Sequence, residues 1–278
     1  MTLSHVVAPV ALMVTSMLSV TAMAQTWSDT HLGFRHGEAH RELANPEEIS
    51  KEVLSVGHVS GYGYGQNFFN LDILQSDRND PAQGGATGAT EFYLVYRHQV
   101  HADKLSHTSW QFGPVRQVAV TLGFDLNSKN TAVAPRKRLA VIGPTLKLDV
   151  PGFFDVSLLA AYETGHCGVC TEPTVSYDPF PMLNLAWGMP FDLAGAPLRF
   201  QGFANLIAGK GENHSGSDTH TELLTRPALL LDLGHFLLAQ DKILWAGMGY
   251  EIWRNKFGNE GVMGADTTTV TANVEWHF

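Results

Sequence analysis

Charged, amide and aromatic side chains recur at every second position in several stretches of this sequence. One stretch carries Phe68, Asn70 and Asp72, and another carries Glu91 and Tyr93. Amides and charged groups hydrogen-bond hydroxyls and ring nitrogens, and aromatic faces stack on flat rings. Around a narrow passage such side chains would select a small polar solute without reacting with it. The full candidate set is Phe68, Asn70, Asp72, Glu91, Tyr93, Arg97, Asp125, Lys147, Asp155, Arg199, Phe203, Asn205, Arg226, Trp245, Glu251 and Trp253.

Nucleophilic catalysis has only weak candidates. It needs a serine, a histidine and a carboxamide or carboxylate held together. Outer-membrane phospholipases, which can be twelve-stranded barrels, hold such a set. His98 has no serine partner that the sequence identifies, and Asn213, His214 and Ser215 lie in a polar loop. We therefore predict that the protein is not an enzyme and assign no catalytic residue.

The two cysteines stand close together in the segment from His166 to Cys170. In an exported protein, Cys167 and Cys170 are expected to form a local disulfide, whose stabilising effect is limited by the short ring. A zinc site would need two further ligands, and haem attachment would need a histidine where Thr171 stands. The 13 histidines are scattered along the chain. The sequence thus indicates no metal and no cofactor.

Alternation of apolar and polar residues indicates the elements that position these side chains. The last stretch, TTTVTANVEWHF, places on one side Val270, Ala272, Val274, Trp276 and Phe278. Its other side carries Thr269, Thr271, Asn273, Glu275 and His277. Such a strand suits a closed membrane barrel, with apolar side chains toward lipid and polar ones toward the lumen.

Similar runs with turn residues between them predict twelve strands. Their ranges are 26–37, 53–61, 66–75, 90–101, 115–126, 138–150, 153–164, 180–193, 198–209, 221–233, 242–254 and 267–278. Short and long connections alternate almost throughout, as in a transmembrane antiparallel up-and-down β-barrel with short periplasmic turns and longer extracellular loops. Proline and glycine inside several runs favour a β-sandwich instead, but the loop lengths fit that fold less well.

Some details of this barrel stay open in the sequence. The charged segment 38–52 could hold a helical turn, and the connection 102–114 is unclear. The parity of apolar residues does not decide the facing of strands 26–37, 53–61 and 180–193. In addition, charges on the inward face could pair and fill the lumen, or they could line a narrow path. These two interpretations are compatible.

The N-terminal segment predicts export. Val6 to Val20 is mostly apolar, and the Ala22-Met23-Ala24 that follows predicts cleavage of residues 1–24 before Gln25. No Lys or Arg precedes Gln25, and only the terminal amine and His5 could supply positive charge there. An uncleaved anchor helix is the alternative, but the apolar run is shorter than a spanning helix needs. We read residues 25–278 as one domain. The net charge of -9 is dispersed, so nucleic acid is not an expected partner.

Three segments resemble the Tsx-type outer-membrane proteins, a family named for nucleoside-specific channels. They are YGQNFFNLDILQSDRNDPAQGGATGATEFYLVYR at 64–97, WSDT at 27–30 and YEIWRNKFG at 250–258. The resemblance implies a twelve-stranded barrel in the cell outer membrane and passive passage of nucleosides. Trp276 and Phe278 resemble the C-terminal signal that the barrel-assembly machinery reads. Expected partners are outer-membrane lipid, periplasmic chaperones, that machinery and a small solute; the oligomeric state is left open.

Overall fold

The computed structural model describes residues 25–278, so the expected signal peptide 1–24 lies outside the described residues. The strands are β1 Trp27–His40, β2 Ile49–Tyr62, β3 Gly65–Ser76, β4 Thr90–His101, β5 Val115–Lys129, β6 Arg136–Leu148, β7 Phe153–His166, β8 Phe180–Leu193, β9 Ala196–Ile207, β10 Glu222–Thr225 with Ala228–Asp232, β11 Leu244–Arg254 and β12 Thr267–His277. Two short helices, α1 Ala102–Ser106 and α2 Leu233–Leu237, and a 3₁₀ turn, Lys256–Gly258, lie in connections. No helix in the described part of the chain is long and apolar enough to cross a membrane.

Antiparallel pairing between neighbouring strands closes the sheet into a barrel. The first and last strands meet in a register that pairs His31 with His277 and His36 with Ala272. A three-residue strand, Thr174–Ser176, continues the pairing of β7 beyond the start of β8. Closure leaves no unpaired sheet edge, which is the stable solution for so many strands. The predicted fold of twelve antiparallel strands is therefore confirmed.

β10 is interrupted in its middle by Arg226 and Pro227, and both of its halves pair with β9 and β11. Proline has no backbone N–H, so it cannot complete the ladder. The Arg226 amide still donates to the Phe203 carbonyl, at 3.0 Å, and the Pro227 carbonyl still accepts from Tyr250, at 2.9 Å. The break therefore bends the strand at Arg226 without opening the wall.

The barrel has two unlike ends. The terminal end carries Gln25 and Phe278, and the loop end carries the connections after β1, β3, β5, β7, β9 and β11. Tight turns at the terminal end include Ala194 and Gly195, both at positive φ, which suits a two-residue hairpin. Two connections at this end are longer, because α1 and α2 lie in them. The helical turn considered for 38–52 is wrong, since β1 runs to His40 and β2 begins at Ile49.

Exposed apolar side chains cover the outside of the barrel. Phe92, Leu122, Ile142, Leu158 and Met248 are exposed by between 42% and 62%. Residues at the alternate positions face inward and are mostly buried. The structure also decides the facing of the three open strands. Leu32 and Phe34 of β1 and Leu54 of β2 are exposed outward, whereas Phe180 and Met182 of β8 are buried on the inner face.

Part of the interior is apolar. An inward-facing cluster is 1% to 4% exposed and consists of Leu139, Val141, Leu159, Ala161, Phe180, Met182 and Ile207. Its members lie on the walls formed by β6 to β9. β7 is consequently apolar on both faces around Leu159, which parity alone does not predict. Polar inward residues with partial exposure are instead concentrated on β1, β3, β4 and β9 to β12.

Candidate functional site: the polar interior of the barrel

All sixteen candidate residues project from the inner parity of their strands, but they do not form one site. They are distributed over the height of the barrel, mostly in hydrogen-bonded or ion-paired groups. Phe68 stands apart near the terminal end, with 36% of its surface exposed. Asn205 forms a separate pair with Asn184, at 2.7 Å. Trp253 donates to Glu222, which is buried nearer the loop end, at 2.7 Å.

The middle network is centred on Asp72 and comprises Arg35, Asp72, Arg226 and Glu251. The Asp72 carboxylate accepts hydrogen bonds from Arg35 at 3.0 Å, and from Ser55 and Asn70 at 2.8 and 2.7 Å. Arg226 on β10 approaches the same carboxylate at 3.5 Å. Asp72 is 5% exposed. A buried carboxylate with this many donors is held in one position.

Arg226 extends this network to the far wall. Its Nε donates to Glu251 at 2.7 Å, and Glu251 also contacts Nδ1 of His40 at 3.2 Å. The guanidinium lies 5.6 Å from the ring centroid of Phe203. The chain bends at Arg226, and this places a cation in the lumen between two carboxylates and one aromatic face.

The terminal-end network comprises Asp29, Arg199, Glu275 and His277. Arg199 donates to Glu275 at 2.5 Å and stacks 4.4 Å above the Trp245 ring. His277 contacts Glu275 at 3.2 Å and Asp29 at 2.9 Å, so it joins the last strand to the first. The indole Nε1 of Trp245 and the Nε of Arg199 are buried without a protein partner among residues 25–278. This level therefore combines an aromatic face with free hydrogen-bond donors.

Two further ion pairs line the inner wall. Arg97 donates to Asp125 at 2.6 Å, and the hydroxyl of Tyr93 donates to the same carboxylate at 3.3 Å. Lys147 donates to Asp155 at 2.6 Å. The second pair is almost completely buried, with 4% and 5% of each residue exposed. The partners of each pair lie on neighbouring strands and share a face. Lys147 is directly in register with Asp155, and Asp125 is offset by two residues from the register partner of Arg97.

A loop-end cluster, Glu42, Lys51, Asp80, Lys129 and Lys256, lies under the long connections. Lys129 on β5 donates to Asp80 at 2.7 Å and lies 3.3 Å from Glu42, and Lys51 also pairs with Glu42. Lys256, 1% exposed, donates to the Arg41 carbonyl. These contacts tie the connections 41–48 and 77–89 and the 3₁₀ turn to the wall. Burial raises the pKa of the Glu42 carboxyl, but the charges of Lys51, Lys256 and Lys129 outweigh burial and hold it well below the ordinary value.

Sequence reasoning missed this cluster. Glu42 and Asp80 lie in segments predicted as connections, where a charged residue ordinarily indicates a solvated surface. Lys51 and Lys129 lie just beyond the predicted ends of their strands, because charged residues there interrupt the apolar alternation. Extending the period-two pattern by two residues before 53 and by three residues after 126 would have placed both lysines on the inner face.

The catalytic candidates are not assembled into a triad. His214 contacts the Glu172 carbonyl at 2.9 Å, whereas the Ser215 hydroxyl donates to Asn213 at 2.7 Å. His98 lies on the outside of β4, where its ring nitrogens contact Asn67 and Tyr62 at 2.7 and 2.9 Å.

The two cysteines form a disulfide outside the wall strands, and the histidines are not gathered with other potential metal ligands among the described residues. Cys167 and Cys170 form a disulfide in the loop after β7. Within residues 25–278, no group of three histidine, cysteine, aspartate or glutamate side chains is arranged to hold a metal ion. Neither feature adds a reactive centre to the polar interior.

Comparison with known proteins gives only distant likenesses. No protein-family model matches the chain, and no curated protein matches it significantly. Among solved structures it is similar to the translocator domain of autotransporter NalP from Neisseria meningitidis, with TM-score 0.46, 12% identity and coverage of 98% of this chain and 94% of that one. It is also similar to the KdgM porin in complex with disordered oligogalacturonate, with TM-score 0.43, 10% identity and coverage of 89% and 99%. The assignment as a closed barrel rests on the strand pairing of the chain itself.

Proposed function

We propose that this protein is an outer-membrane channel for the passive diffusion of small polar solutes that carry a flat ring. The supporting observation is the pairing of a cation with an aromatic face at two levels of the interior, Arg199 with Trp245 and Arg226 with Phe203. Each pair stands beside a carboxylate, Glu275 or Glu251. The apolar outer surface matches the hydrocarbon of a bilayer, and the terminal end faces the periplasm in this proposal.

Nucleosides are the solute class that this arrangement suits. A nucleobase stacks on an aromatic ring, and its edge nitrogens and carbonyls hydrogen-bond arginine and amide groups. The ribose hydroxyls bind carboxylates and amides, which Glu275 and Gln201 supply within 2.6 Å of each other. The resemblance of 64–97 to the Tsx-type proteins points to the same class.

The path that we propose follows only part of the wall. The inward residues of β5 to β7 are largely buried, and the apolar cluster around Leu159 fills that side. Phe68 and Asn70 on β3, and Arg199 and Phe203 on β9, keep partial exposure on the two walls that flank that side. A solute of one ring would pass along these walls and would displace the contact between Arg226 and Asp72.

A plugged barrel is the second candidate, and the loop-end cluster favours it. Lys51, Lys129 and Lys256 are each less than 8% exposed, and they hold the outer connections against the wall. Buried ion pairs resist opening, since separating them leaves unpaired charges in a low-dielectric interior. In this alternative the long loops would serve surface binding and the lumen would carry no solute.

Uptake into liposomes separates the two candidates. Purified protein is reconstituted, and entry of radiolabelled uridine is measured in competition with a panel of nucleosides, sugars and amino acids. We expect uridine to enter and other nucleosides to compete with it. Entry of nucleosides and sugars at equal rates would refute the ring selectivity alone. Absence of entry, together with no ion conductance in planar bilayers, would refute the channel and support the plug.

A further inference from the structure

A row of polar side chains crosses the outside of the barrel near its terminal end. Strand register places in direct succession Ser28 on β1, Ser60 on β2, Asn67 on β3 and His98 on β4. On β5 the same row continues with the apolar Leu122. These residues have the outward parity of Leu32, Leu54 and Phe92. The row therefore lies in the surface that our proposed function places against lipid.

A second row lies directly above the first and is partly polar. It pairs Thr30 with His58 and His58 with Phe69. The Thr30 hydroxyl contacts Nδ1 of His58 at 2.7 Å, and the His58 ring stacks on Phe69 with centroids 5.6 Å apart. Together, Ser28, Thr30, His58, Ser60, Asn67 and His98 form what we call the outer polar patch. Comparable outward positions on other strands carry Leu146, Phe154, Phe200 and Val274.

Hydrogen bonds within the patch define what it presents to the membrane. Oδ1 of Asn67 accepts from the Tyr96 hydroxyl at 2.9 Å and from Nδ1 of His98 at 2.7 Å. Nε2 of His98 then accepts from the Tyr62 hydroxyl, at 2.9 Å. His98 is thereby saturated, and both amide hydrogens of Asn67 remain. Within residues 25–278, Nδ2 of Asn67 and Nε2 of His58 form no hydrogen bond, since the bonds of these two side chains are made by Oδ1 and Nδ1.

Free donors in this position need acceptors from outside the chain. A polar group that faces a membrane without a hydrogen-bond partner is strongly unfavourable, because no water in the hydrocarbon can replace the partner. An anionic oxygen beside His58 would favour the tautomer in which Thr30 donates to Nδ1 and Nε2 carries the hydrogen. Asn67 Nδ2 and His58 Nε2 then offer donors only, and the hydroxyls of Ser28 and Ser60 can rotate to donate as well.

We propose that the outer polar patch binds the phosphodiester of a phospholipid from the periplasmic leaflet. The phosphate and ester oxygens of such a lipid are acceptors only, which complements the donors of Asn67 and His58. The patch begins at the strand ends, close to Trp276, which pairs with Leu32. Aromatic residues of this kind mark the headgroup level of barrels. Carboxylates are absent from the patch residues themselves, so no fixed negative charge within it opposes a phosphate.

Native mass spectrometry of the full mature chain in dodecyl maltoside tests this site. The probes are dioleoylphosphatidylethanolamine and dioleoylglycerol, which share acyl chains and differ in the phosphate headgroup. We expect a one-to-one adduct with the phospholipid and an adduct with dioleoylglycerol that is about tenfold weaker. Equal binding of the two probes would overturn the proposal, since the acyl chains would then account for it.

Two variants and one control make the test specific. Asn67→Asp keeps an acceptor oxygen for Tyr96 and His98 but replaces the amide donors with a carboxylate oxygen. His58→Phe keeps an aromatic ring that can stack on Phe69 but removes the ring nitrogens. We expect each to weaken the phospholipid adduct about tenfold. His36→Leu removes an outward histidine of β1 elsewhere on the wall and should leave the adduct unchanged. Retention of the adduct in both patch variants would overturn the site.

Folding and self-association are checked on the same samples. Heat-modifiable migration in gels shows whether each variant is a folded barrel, and only folded variants are scored. The proposal rests on the membrane position in the proposed function, but uridine uptake by Asn67→Asp should equal that of the wild type. Loss of phospholipid binding with unchanged uridine uptake supports the lipid site and does not affect the proposed channel function. A disulfide-linked dimer of Ser60→Cys in membranes would overturn lipid binding in favour of a contact between two copies.

Discussion

Arg226 on β10 lies 3.5 Å from Asp72 on β3, and the strands β11, β12, β1 and β2 stand between them along the wall. The contact therefore crosses the lumen rather than following the sheet. Arg226 also donates to Glu251 at 2.7 Å, on the neighbouring strand. The pair with Glu251 fixes the arginine, and the longer contact with Asp72 bridges the interior of the barrel.

Arg226→Ala should raise single-channel conductance by about twofold, because it removes the side chain that bridges the lumen. Planar-bilayer recordings of the reconstituted variant measure this. Phe92→Ala is the matched control, since Phe92 is 49% exposed on the outer face and should act only through stability in lipid. Equal conductance changes in the two variants would contradict the facing that we describe.

Lys147→Met should destabilise the barrel by about 3 kcal/mol, because it leaves the buried Asp155 carboxylate without its cation. The double variant Lys147→Met with Asp155→Leu should recover to within about 1 kcal/mol of the wild type, since no buried charge remains. Urea unfolding in lipid vesicles, followed by tryptophan fluorescence, measures both.

Lys104→Met serves as the control for that cycle. Lys104 lies 4.0 Å from Asp103 and its side chain is 53% exposed. A solvated pair of this kind contributes little, so we expect a change of no more than about 0.5 kcal/mol. If the destabilisation by Lys147→Met and that by Asp155→Leu alone add up to the destabilisation of the double variant, Lys147 and Asp155 are not coupled.

The loop-end cluster should respond to acid. The pKa of Glu42 lies below its ordinary value of 4.5, so its ionised form stabilises the folded loop end at and above that pH. This contribution is lost only as the pH falls through the lower folded-state pKa. The protection factors of the amides in 41–48, which correct for the pH dependence of intrinsic exchange, should therefore stay constant from pH 7 to about pH 5 and fall in stronger acid.

Glu42→Gln should accelerate exchange in the same segment already at pH 7, because it removes the charge that Lys51 and Lys129 share. Glu38→Gln is the control, as its side chain is 83% exposed and pairs only with His36. If Glu42→Gln exchanges like the wild type at pH 7, these ion pairs do not hold the loop.

Deletion of Phe278 should lower the amount of membrane-inserted, heat-modifiable barrel before it alters any pore property. The residue is 71% exposed and its backbone forms two hydrogen bonds with Thr30 on β1. Phe278→Ala keeps those hydrogen bonds and removes only the ring, so it separates closure of the wall from recognition of the terminal aromatic. Phe236→Ala, another exposed aromatic at the same end, is the control. Normal barrel levels in the deletion would contradict an assembly role.

The sequence by itself determined the strands and most of their facing. The alternation in 267–278 predicts that Val270 and Trp276 face outward and Glu275 inward, and the structure has this arrangement. Period-two patterns are local, so they survive any later packing. Strand ends were less determined, since charged residues such as Lys51 interrupt the apolar pattern although their partners lie in loops.

Only the tertiary structure decided which inward residues meet. Strand tilt and closure bring Arg226 to Asp72 and Arg199 to Glu275, and no local pattern encodes contacts across a barrel. The apolar interior around Leu159 and the donors of Asn67 on the outer wall likewise break the simple rule of apolar outside and polar inside. Strand register decides which residues stand beside such exceptions, and period-two patterns within one strand do not encode that register.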